Sequence, residues 1–416
     1  MQETTELYWY LLGLARPWTV RRVELSAEKQ RVDVFVEHPI GINWKCPQCS
    51  HEGTLYDHSD ERTWRHLDSC HFLTYLHAKI PRIKCPAHGA LQVSVPWAEP
   101  RSRFTLLFER LAVEILQKST VQGTAEILKQ SWAEAMHLMQ RAVARGLKKQ
   151  EGQPLPTTLG VDEKHTPCGV LTLVNDLDKR RVYKVLVGAK KDPLKEYLGS
   201  FPAAEREAVV AVAIDMSDTF YGAVAATIPD SADKIVYDRF HVMQLVGRAV
   251  NEVRLKEHSY LLRKQDDRLK GTRYLFGYSD ENVPETQRER LEQLKADKLQ
   301  TARAWAIKEF LRTLWDCTTR SSALEVWRKW VGWAKRSRLE PIQDVARRLG
   351  TRLYNILTFV EHRITNALSE GLNSAISTLI RRAYGYRNLH NQITAIYFYQ
   401  GKLDLFPELA THGEVG

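Results

Sequence analysis

The stretch AVVAVAID, residues 208–215, is apolar until its last residue, which is an aspartate. An uninterrupted apolar run of this length predicts a strand that is buried on both faces. A carboxylate at the end of a buried strand needs a compensating partner, because burying a charge costs free energy. Asp215 is therefore a candidate functional residue as well as the end of a predicted strand.

Four other strand-like runs surround this stretch. They are TTLGVDE (157–163), VLTLVND (170–176), RVYKVLVG (181–188) and KIVYDRF (234–240). The first three lie close together and predict an antiparallel meander, whereas helix-like segments precede AVVAVAID and KIVYDRF. The order β-β-β-α-β-α-β predicts a ribonuclease H-like α/β core, an inference from fold order that the acidic residues must support.

Acidic residues fall at matching places in this predicted core. In a ribonuclease H-like arrangement the first and fourth strands are neighbours, so Asp162 and Asp215 can share divalent metal ions. Asp238, in the fifth strand, is the main alternative to Asp215, and strand alternation directs Glu163 to the opposite face. Any one of these acids alone could be an ordinary strand-end residue, but the pair in this order favours a metal site.

A third acid lies in TNALSEGLNSAISTLIRR, residues 365–382, which has the period of an amphipathic helix. One face of this helix is apolar and the other is polar. The apolar face carries Leu368, Leu372, Ile376 and Leu379, and the polar face carries Asn366, Glu370, Asn373 and Ser377. Glu370 is either part of a solvated helix face or the last member of a catalytic set. Residues 371–403 contain four basic and no acidic residues, which suits the approach of DNA phosphates.

Four of the six cysteines precede residue 86. CPQC (Cys46 to Cys49) and CPAH (Cys85 to His88) offer three thiolates and one imidazole with the spacing of a tetrahedral zinc site. The residues between them alternate and are rich in β-branched and aromatic side chains, which predicts a zinc ribbon whose ligands cap hairpins. The alternative is four unligated residues in a reducing compartment.

Three short amphipathic segments between residues 104 and 145 predict a helix-turn-helix, with residues 132–145 as the recognition helix. A structural helical bundle has the same pattern. Residues 101–150 carry nine basic and four acidic groups, which favours DNA binding. Lys129, Arg141 and Arg145 are the candidate DNA contacts, and residues 147–157 are expected to form a linker.

The net charge of +10 is unevenly distributed, with +4 in residues 1–150, −3 in 151–240 and +9 in 241–416. Basic flanks suit a polyanion, and an acidic middle suits divalent cations. The absence of a long uncharged apolar run and of a signal-like N-terminus predicts a cytoplasmic protein without a membrane partner. Residues 245–354 are strongly helical and tryptophan-rich, and are expected to form an all-helical insertion with most of the tryptophans in its core.

Several motifs occur together and in order across nearly the whole chain. They are CPQC…WRHLD…PRIKCPAHG, VPWA, LGVDEKH, AIDMSDTFYG, DRFHVMQLV and TNALSEGLNSAISTLIRRAYGYRN. In these motifs the chain resembles bacterial insertion-sequence transposases of the ISL-three family.

The resemblance implies a DDE transposase with Asp162, Asp215 and Glu370 as catalytic triad and two Mg²⁺ (or Mn²⁺) ions. It also implies double-stranded DNA as partner, both the terminal inverted repeats of the element and the target DNA. Arg381, Arg382 and Arg387 would approach that DNA beside Glu370. A homodimer or larger assembly is expected, because both element ends must be held together.

These inferences divide the chain into an N-terminal zinc-ribbon domain, a helix-turn-helix and a catalytic core interrupted by the helical insertion. The expected ranges are 1–100 for the ribbon domain, 101–146 for the helix-turn-helix, 158–244 and 355–405 for the core, 245–354 for the insertion and 406–416 for a tail. Two alternatives remain open at this point: a non-catalytic DNA-binding regulator derived from a transposase, and a ribonuclease H-type structure-selective nuclease.

Overall fold

The structure, a computed structural model, describes residues 2–364 and 367–409. Contacts within the chain divide it into two compact units, Met1–Glu151 with Leu403–Gly416, and Gly152–Lys402. The first unit therefore takes its last segment from residues that follow the second unit in sequence. None of the described helices is both long and apolar enough to cross a bilayer.

The first unit is a β-rich region followed by three helices. Its elements are α1 (Gln2–Leu11), β1 (Thr19–Ser26), β2 (Arg31–Glu37), β3 (Trp44–Lys45), β4 (Glu52–Gly53), β5 (Leu55–Ser69), β6 (Phe72–Cys85), β7 (Gly89–Gln92), α2 (Leu106–Lys118), α3 (Val121–Leu128) and α4 (Trp132–Gln150). Because α4 extends to Gln150, the first four residues of the predicted linker are helical.

The main sheet of this unit has the order β1-β2-β6-β5, with β7 paired to β6. Trp18, Trp64 and Trp97 are buried in its core and meet edge to face, with the Trp97 ring centroid 4.8 Å from that of Trp18 and 5.6 Å from that of Trp64. Edge-to-face packing of large aromatic rings adds to the free energy gained by their burial. The hairpins β3–β4 and β6–β7 hold the two cysteine motifs, as the alternating pattern predicts.

Side-chain caps define where the three helices begin. The hydroxyl groups of Thr105 and Thr120 accept hydrogen bonds from the first turns of α2 and α3. Ser131 and Glu134 form a reciprocal capping box at the start of α4, an arrangement that satisfies two otherwise unpaired amide groups. Lys129 ends α3 in a left-handed conformation (φ 53°), which turns the chain into α4.

The second unit combines one sheet with many helices. Its elements are β8 (Thr158–Thr166), β9 (Gly169–Asp176), β10 (Arg181–Val187), α5 (Lys191–Gly199), α6 (Ala203–Glu207), β11 (Ala211–Ile214), α7 (Asp218–Ala225), α8 (Ser231–Lys234), β12 (Ile235–Tyr237), α9 (Arg239–Leu262), α10 (Glu285–Ala296), α11 (Gln300–Arg312), α12 (Arg320–Arg336), α13 (Glu340–Gly350), α14 (Leu353–His362), α15 (Ala367–Arg382) and α16 (Leu389–Gln400). Short 3-10 helices lie at Leu275–Gly277, Asp280–Asn282 and Thr313–Asp316.

The sheet of the second unit has the order β10-β9-β8-β11-β12. Strands β8, β9 and β10 form the predicted antiparallel meander, and β11 runs parallel to both β8 and β12. The prediction that the first and fourth strands are neighbours is confirmed. The strand at AVVAVAID is shorter than predicted, since it spans only Ala211–Ile214, and Val210 just before it is 55% exposed. Asp215 and Asp238 thus follow their strands rather than lying within them.

Helices α9 to α13 occupy most of the region predicted to be helical, and only Asp238 separates β12 from α9, which begins before the predicted boundary at residue 245. The predicted burial of tryptophans is confirmed for Trp305, Trp315, Trp327 and Trp330, which are at most 6% exposed. Helix α14 packs against β12, where Asn355 Nδ2 and Thr358 Oγ1 both donate hydrogen bonds to the carbonyl oxygen of Ile235.

Candidate active site and metal centres

Three aspartates form a row across the second unit's sheet. The strand register pairs Val161 with Ile214 and Ile214 with Tyr237. The next residue in each strand direction is an aspartate: Asp162, Asp215 and Asp238. Because the three strands are parallel and adjacent, these residues lie side by side at one edge of the sheet. We refer to these three residues as the acidic row.

Glu370 reaches this row from the first turn of α15. Ligand atoms of Glu370, Asp238 and His241 all lie within 4.8 Å of one another. One turn further along α15, Asn373 Nδ2 donates a hydrogen bond of 2.6 Å to Asp162 Oδ2. The structure therefore brings Glu370 to Asp162 and Asp238. Asn366, predicted on the same helix face, lies outside the described residues.

Asp215 follows β11, the strand between β8 and β12, and so lies between Asp162 and Asp238 in the acidic row. The backbone amide of Ser217 donates to Asp215 Oδ1 at 2.9 Å, which fixes the carboxylate where the strand ends. The following loop is held by Arg352, which donates to the carbonyl oxygen of Met216 at 2.8 Å and pairs with Asp218 at 2.7 Å. Asp215 is half-buried, whereas Asp162 and Asp238 are 7% and 1% exposed.

The carboxyl groups of the site are partly or fully buried and lie near one another, and both features disfavour their ionised forms. Burial raises the pKa of Asp162, and the charges of Asp215 and Asp238 raise it further. Burial also raises the pKa of Glu370, with added repulsion from Asp238 and Asp162. The pKa of Asp215 is raised by burial as well. The nearby His241 acts in the opposite direction on these carboxylates without reversing the shifts. A bound cation would reverse them, since an opposite charge favours the ionised carboxylate.

His241 was not assigned a role in the sequence-based prediction. It lies one helical turn after Asp238, with its Nε2 3.9 Å from Asp238 Oδ2. The spacing of Asp238 and His241 in DRFH gives the signal that could have found it, because residues three apart share a helix face. Asp238 itself is the residue that precedes α9.

The cysteine motifs come together in the first unit. Cys46 Sγ lies 3.7 Å from His88 Nδ1, and Cys85 Sγ lies 3.6 Å from both His88 Nδ1 and Cys49 Sγ. Two thiolates bound to one tetrahedral Zn²⁺ at about 2.3 Å would be roughly 3.8 Å apart. Backbone amides, with that of Gln48 first, lower the pKa of Cys46 to about 6, which favours the thiolate that a metal requires. These four residues fit a zinc ion.

Three known family profiles match the chain. The profile described as Transposase matches residues 159–396, the zinc-finger of transposase IS204/IS1001/IS1096/IS1165 matches 42–88, and the helix-turn-helix domain of transposase family ISL3 matches 93–143. The chain is a DDE-type transposase of the ISL-three family. The first unit of the transposase thus carries a zinc ribbon and a DNA-binding helix-turn-helix.

Curated relatives agree with this assignment over most of their length. The transposase is 26% identical over 383 residues to the transposase for insertion sequence element IS1001 of Bordetella parapertussis, covering 91% of the chain and 94% of the relative. It is 24% identical over 416 residues to the transposase for insertion sequence element IS1557 of Mycobacterium tuberculosis, covering 92% of each. Each zinc-ligand candidate lies within the zinc-finger match, and Asp162, Asp215 and Glu370 lie within the Transposase match.

Two of the residues predicted to contact DNA have other partners in the transposase. Arg141 pairs with Glu109 at 2.9 Å and Glu99 at 2.8 Å, and Arg145 pairs with the same two carboxylates at 2.5 and 2.6 Å. Glu109 is 2% exposed, and its buried carboxylate would destabilise the fold without the two guanidinium groups. Both guanidinium groups thus have acidic partners within the first unit, and contact of Arg141 and Arg145 with DNA phosphates stays a prediction.

The other predicted DNA contacts have exposed side chains. Lys129 is exposed in the turn between α3 and α4, next to the predicted recognition helix. Arg381 and Arg382 are exposed at the end of α15, and Arg387 is exposed in the turn that follows. Eleven residues separate Glu370 from Arg381, which is about 16 Å along a helix axis. These arginines are therefore within a few nucleotides' reach of the acidic residues.

Proposed function

We propose that the transposase cuts DNA at the terminal inverted repeats of its insertion sequence and joins the freed ends to target DNA, with Asp162, Asp215 and Glu370 as catalytic residues. The observation that carries this proposal is the strand register. It aligns Asp162 and Asp215 in one row with Asp238, and ligand atoms of Asp238 and Glu370 lie within 4.8 Å of each other, which supports a site shared by these acids.

Divalent cations suit this site better than other cofactors would. Mg²⁺ and Mn²⁺ prefer carboxylate oxygen ligands, and a bound cation would oppose the burial that raises the pKa values of Asp162, Asp215 and Glu370. Asp162, Asp215 and Glu370 would hold two such ions, with Asp238 and His241 beside them. When bound, a metal pair activates a water or a 3′ hydroxyl as nucleophile and stabilises the departing 3′ oxygen.

The residues of the chain prepare the site for this chemistry. Ser217 and Asn373 orient the carboxylates of Asp215 and Asp162 through their amide groups. No side-chain nucleophile is needed, since the DNA strand is displaced directly. Arg381, Arg382 and Arg387 are the proposed phosphate contacts near Glu370, where they would neutralise the backbone charge of the DNA.

The strand order supports a ribonuclease H-like core interrupted by a helical insertion in 245–354, with the core drawn from residues 158–244 and 355–402, since the predicted end at 405 runs into the first unit at Leu403. In such a core, a meander joined to two parallel strands presents its acids along one edge, which is the arrangement found here. The zinc ribbon would hold a structural Zn²⁺ through Cys46, Cys49, Cys85 and His88. The helix-turn-helix, with Lys129 as a phosphate contact, would select the element ends, and a dimer or larger assembly would pair them.

The test uses full-length protein, Mg²⁺ and a labelled DNA fragment that carries one element end, compared with a generic branched DNA of the same length. Wild type should cut only at the element end. Asp162→Asn and Asp215→Asn should each reduce cutting at least about 100-fold, the scale of losing one strong transition-state contact. Asp238→Asn should have a smaller effect.

Other outcomes of this experiment have distinct meanings. Equal cutting of branched DNA would identify a structure-selective nuclease. Selective binding without cutting in any divalent cation would identify a regulator. Loss of cutting in Asp238→Asn but not in Asp215→Asn would move the second catalytic position to Asp238.

A further inference from the structure

We propose that Lys164, Asn373 and Ser377 form a latch that sets Glu370 against the acidic row and thereby controls how tightly the active site binds divalent cations. We call these three residues the α15 latch. The inference rests on the proposed function, because it concerns positioning residues of the same site, none of which has to touch DNA or metal.

The latch is a connected set of short hydrogen bonds between β8 and α15. Lys164 Nζ donates to the backbone carbonyl of Asn373 at 2.8 Å and to Ser377 Oγ at 2.5 Å. Ser377 Oγ donates to the same carbonyl at 3.0 Å, and Asn373 Nδ2 donates to Asp162 Oδ2 at 2.6 Å. Strand and helix are therefore joined twice, once through an ammonium group and once through a catalytic carboxylate.

The position of Lys164 is unusual for a lysine. It lies two residues after Asp162 and so on the same face of β8, and its side chain is half-buried. Burying part of an ammonium group is costly unless its donors are paired. Here it bonds a main-chain carbonyl in the interior of α15. A bond to the main chain fixes the helix itself, both along its axis and about it, rather than one mobile side chain.

The helix geometry transmits this constraint to Glu370. Glu370 and Asn373 are three residues apart, so they share a face and are separated by about 4.5 Å along the axis. A shift of α15 by one residue would rotate Glu370 by roughly 100° away from the acidic row. Mg²⁺ demands nearly ideal ligand geometry, so a loosened helix should appear as weaker metal binding.

The experiment measures Mn²⁺ binding to the full chain by isothermal titration calorimetry without DNA. Lys164→Met keeps most of the length of the unbranched side chain but removes its charge and donors, and Asn373→Ala removes the contact with Asp162. Each should weaken Mn²⁺ binding by about 10-fold or more, the usual effect of losing a residue that orients a metal ligand. Lys164→Arg keeps the positive charge and donors and should restore most of the affinity.

Thr378→Ala is the matched control. Thr378 is exposed on the same helix, next to Ser377, and its hydroxyl contacts only Arg381 among the hydrogen bonds found in the described residues. It should bind Mn²⁺ like wild type. If Lys164→Met fails to fold, Asn373→Ala and Ser377→Ala test the same connection with smaller changes.

Different experimental results would contradict the α15 latch and the proposed function. Unchanged Mn²⁺ affinity in folded Lys164→Met and Asn373→Ala would overturn the latch, while element-end cutting by wild type would keep the function. A wild-type protein that cuts DNA yet takes up no Mn²⁺ without DNA would also overturn the latch, since the site would then not be pre-arranged. Absence of cutting in wild type at any Mg²⁺ concentration would overturn the function itself.

Discussion

The two candidate metal centres of the transposase are assembled in different ways. Cys46 and His88 are 42 residues apart and belong to two hairpins of one ribbon. Asp162 and Asn373, which ties α15 to the acidic row, are 211 residues apart. The first centre depends on local turns, whereas the second depends on the packing of a distant helix against a sheet. A ligand lost from the first should therefore damage folding, and an acid lost from the second should damage chemistry alone.

The strongest test of this contrast is Glu370→Gln. Cutting and strand transfer should fall at least about 100-fold, because the variant removes one negative charge from the site that would hold two divalent cations. Without metal, the thermal midpoint should stay the same or rise. The folded-state pKa of Glu370 is raised, so ionisation of Glu370 at neutral pH destabilises the folded state. Replacing it with the neutral Gln removes this destabilisation.

Glu361→Gln is the control for this variant. Glu361, in the last turn of α14, forms an exposed ion pair with Arg320 at 3.0 Å, so its loss should change stability by less than about 1 kcal/mol and leave cutting intact. DNA cleavage assays and thermal melts of both variants decide the outcome. Near-normal cutting by Glu370→Gln would remove Glu370 from the site, and loss only in Glu361→Gln would transfer its role.

The ribbon should respond in the opposite way. Wild type should contain about one zinc per chain, and changing both Cys46 and Cys49 to Ser should release it and disorder the β3–β4 and β6–β7 hairpins. Metal analysis and limited proteolysis measure the two effects. Finding no zinc in wild type, or a hairpin region that keeps its protease resistance in the double variant, would break the contrast between the two centres.

A smaller effect distinguishes two positive residues within the first unit. Lys129→Ala should leave stability unchanged. It should reduce the slope of the logarithm of the DNA-binding constant against the logarithm of the salt concentration by about one. Arg145→Ala should instead destabilise the unit by about 3 kcal/mol, because it leaves Glu109 buried with fewer partners. Binding titrations at several salt concentrations and denaturant melts measure these effects. An unchanged salt slope in Lys129→Ala would exclude it as a phosphate contact.

The sequence predicts most of what depends on local pattern. The hairpins of the ribbon, the three helices before Glu151, the meander and the order of the later strands follow from periodicity and turn residues. The ion pairs of Arg141 and Arg145 with Glu99 and Glu109 were not predicted, because charge was counted by segment and not by helix face. On a helical wheel Arg145 falls beside the buried Leu138 and Ala142, which points toward the interior.

Sequence patterns predict only part of the acidic site. Asp162, Asp215 and Glu370 could be proposed from strand order and helix period, with Asp238 as an alternative. The alignment of all three aspartates depends on the register of β11 with both neighbours, and strand patterns do not fix register between parallel strands joined by helices. The roles of Lys164 and Asn373 depend on where α15 meets β8, which no local pattern encodes.

The segment from Leu403 has a consequence for the order in which the transposase is made. Arg145 donates to the carbonyl oxygen of Leu405 at 2.6 Å, and Lys149 pairs with Asp404 at 2.8 Å. Leu403 packs so closely on Gly146 that a β-carbon there would come within 2.6 Å of it. These residues leave the ribosome after all of 152–402. In a nascent chain the first unit therefore lacks its last segment until the second unit has been synthesised, so completion of the first unit depends on synthesis of the second.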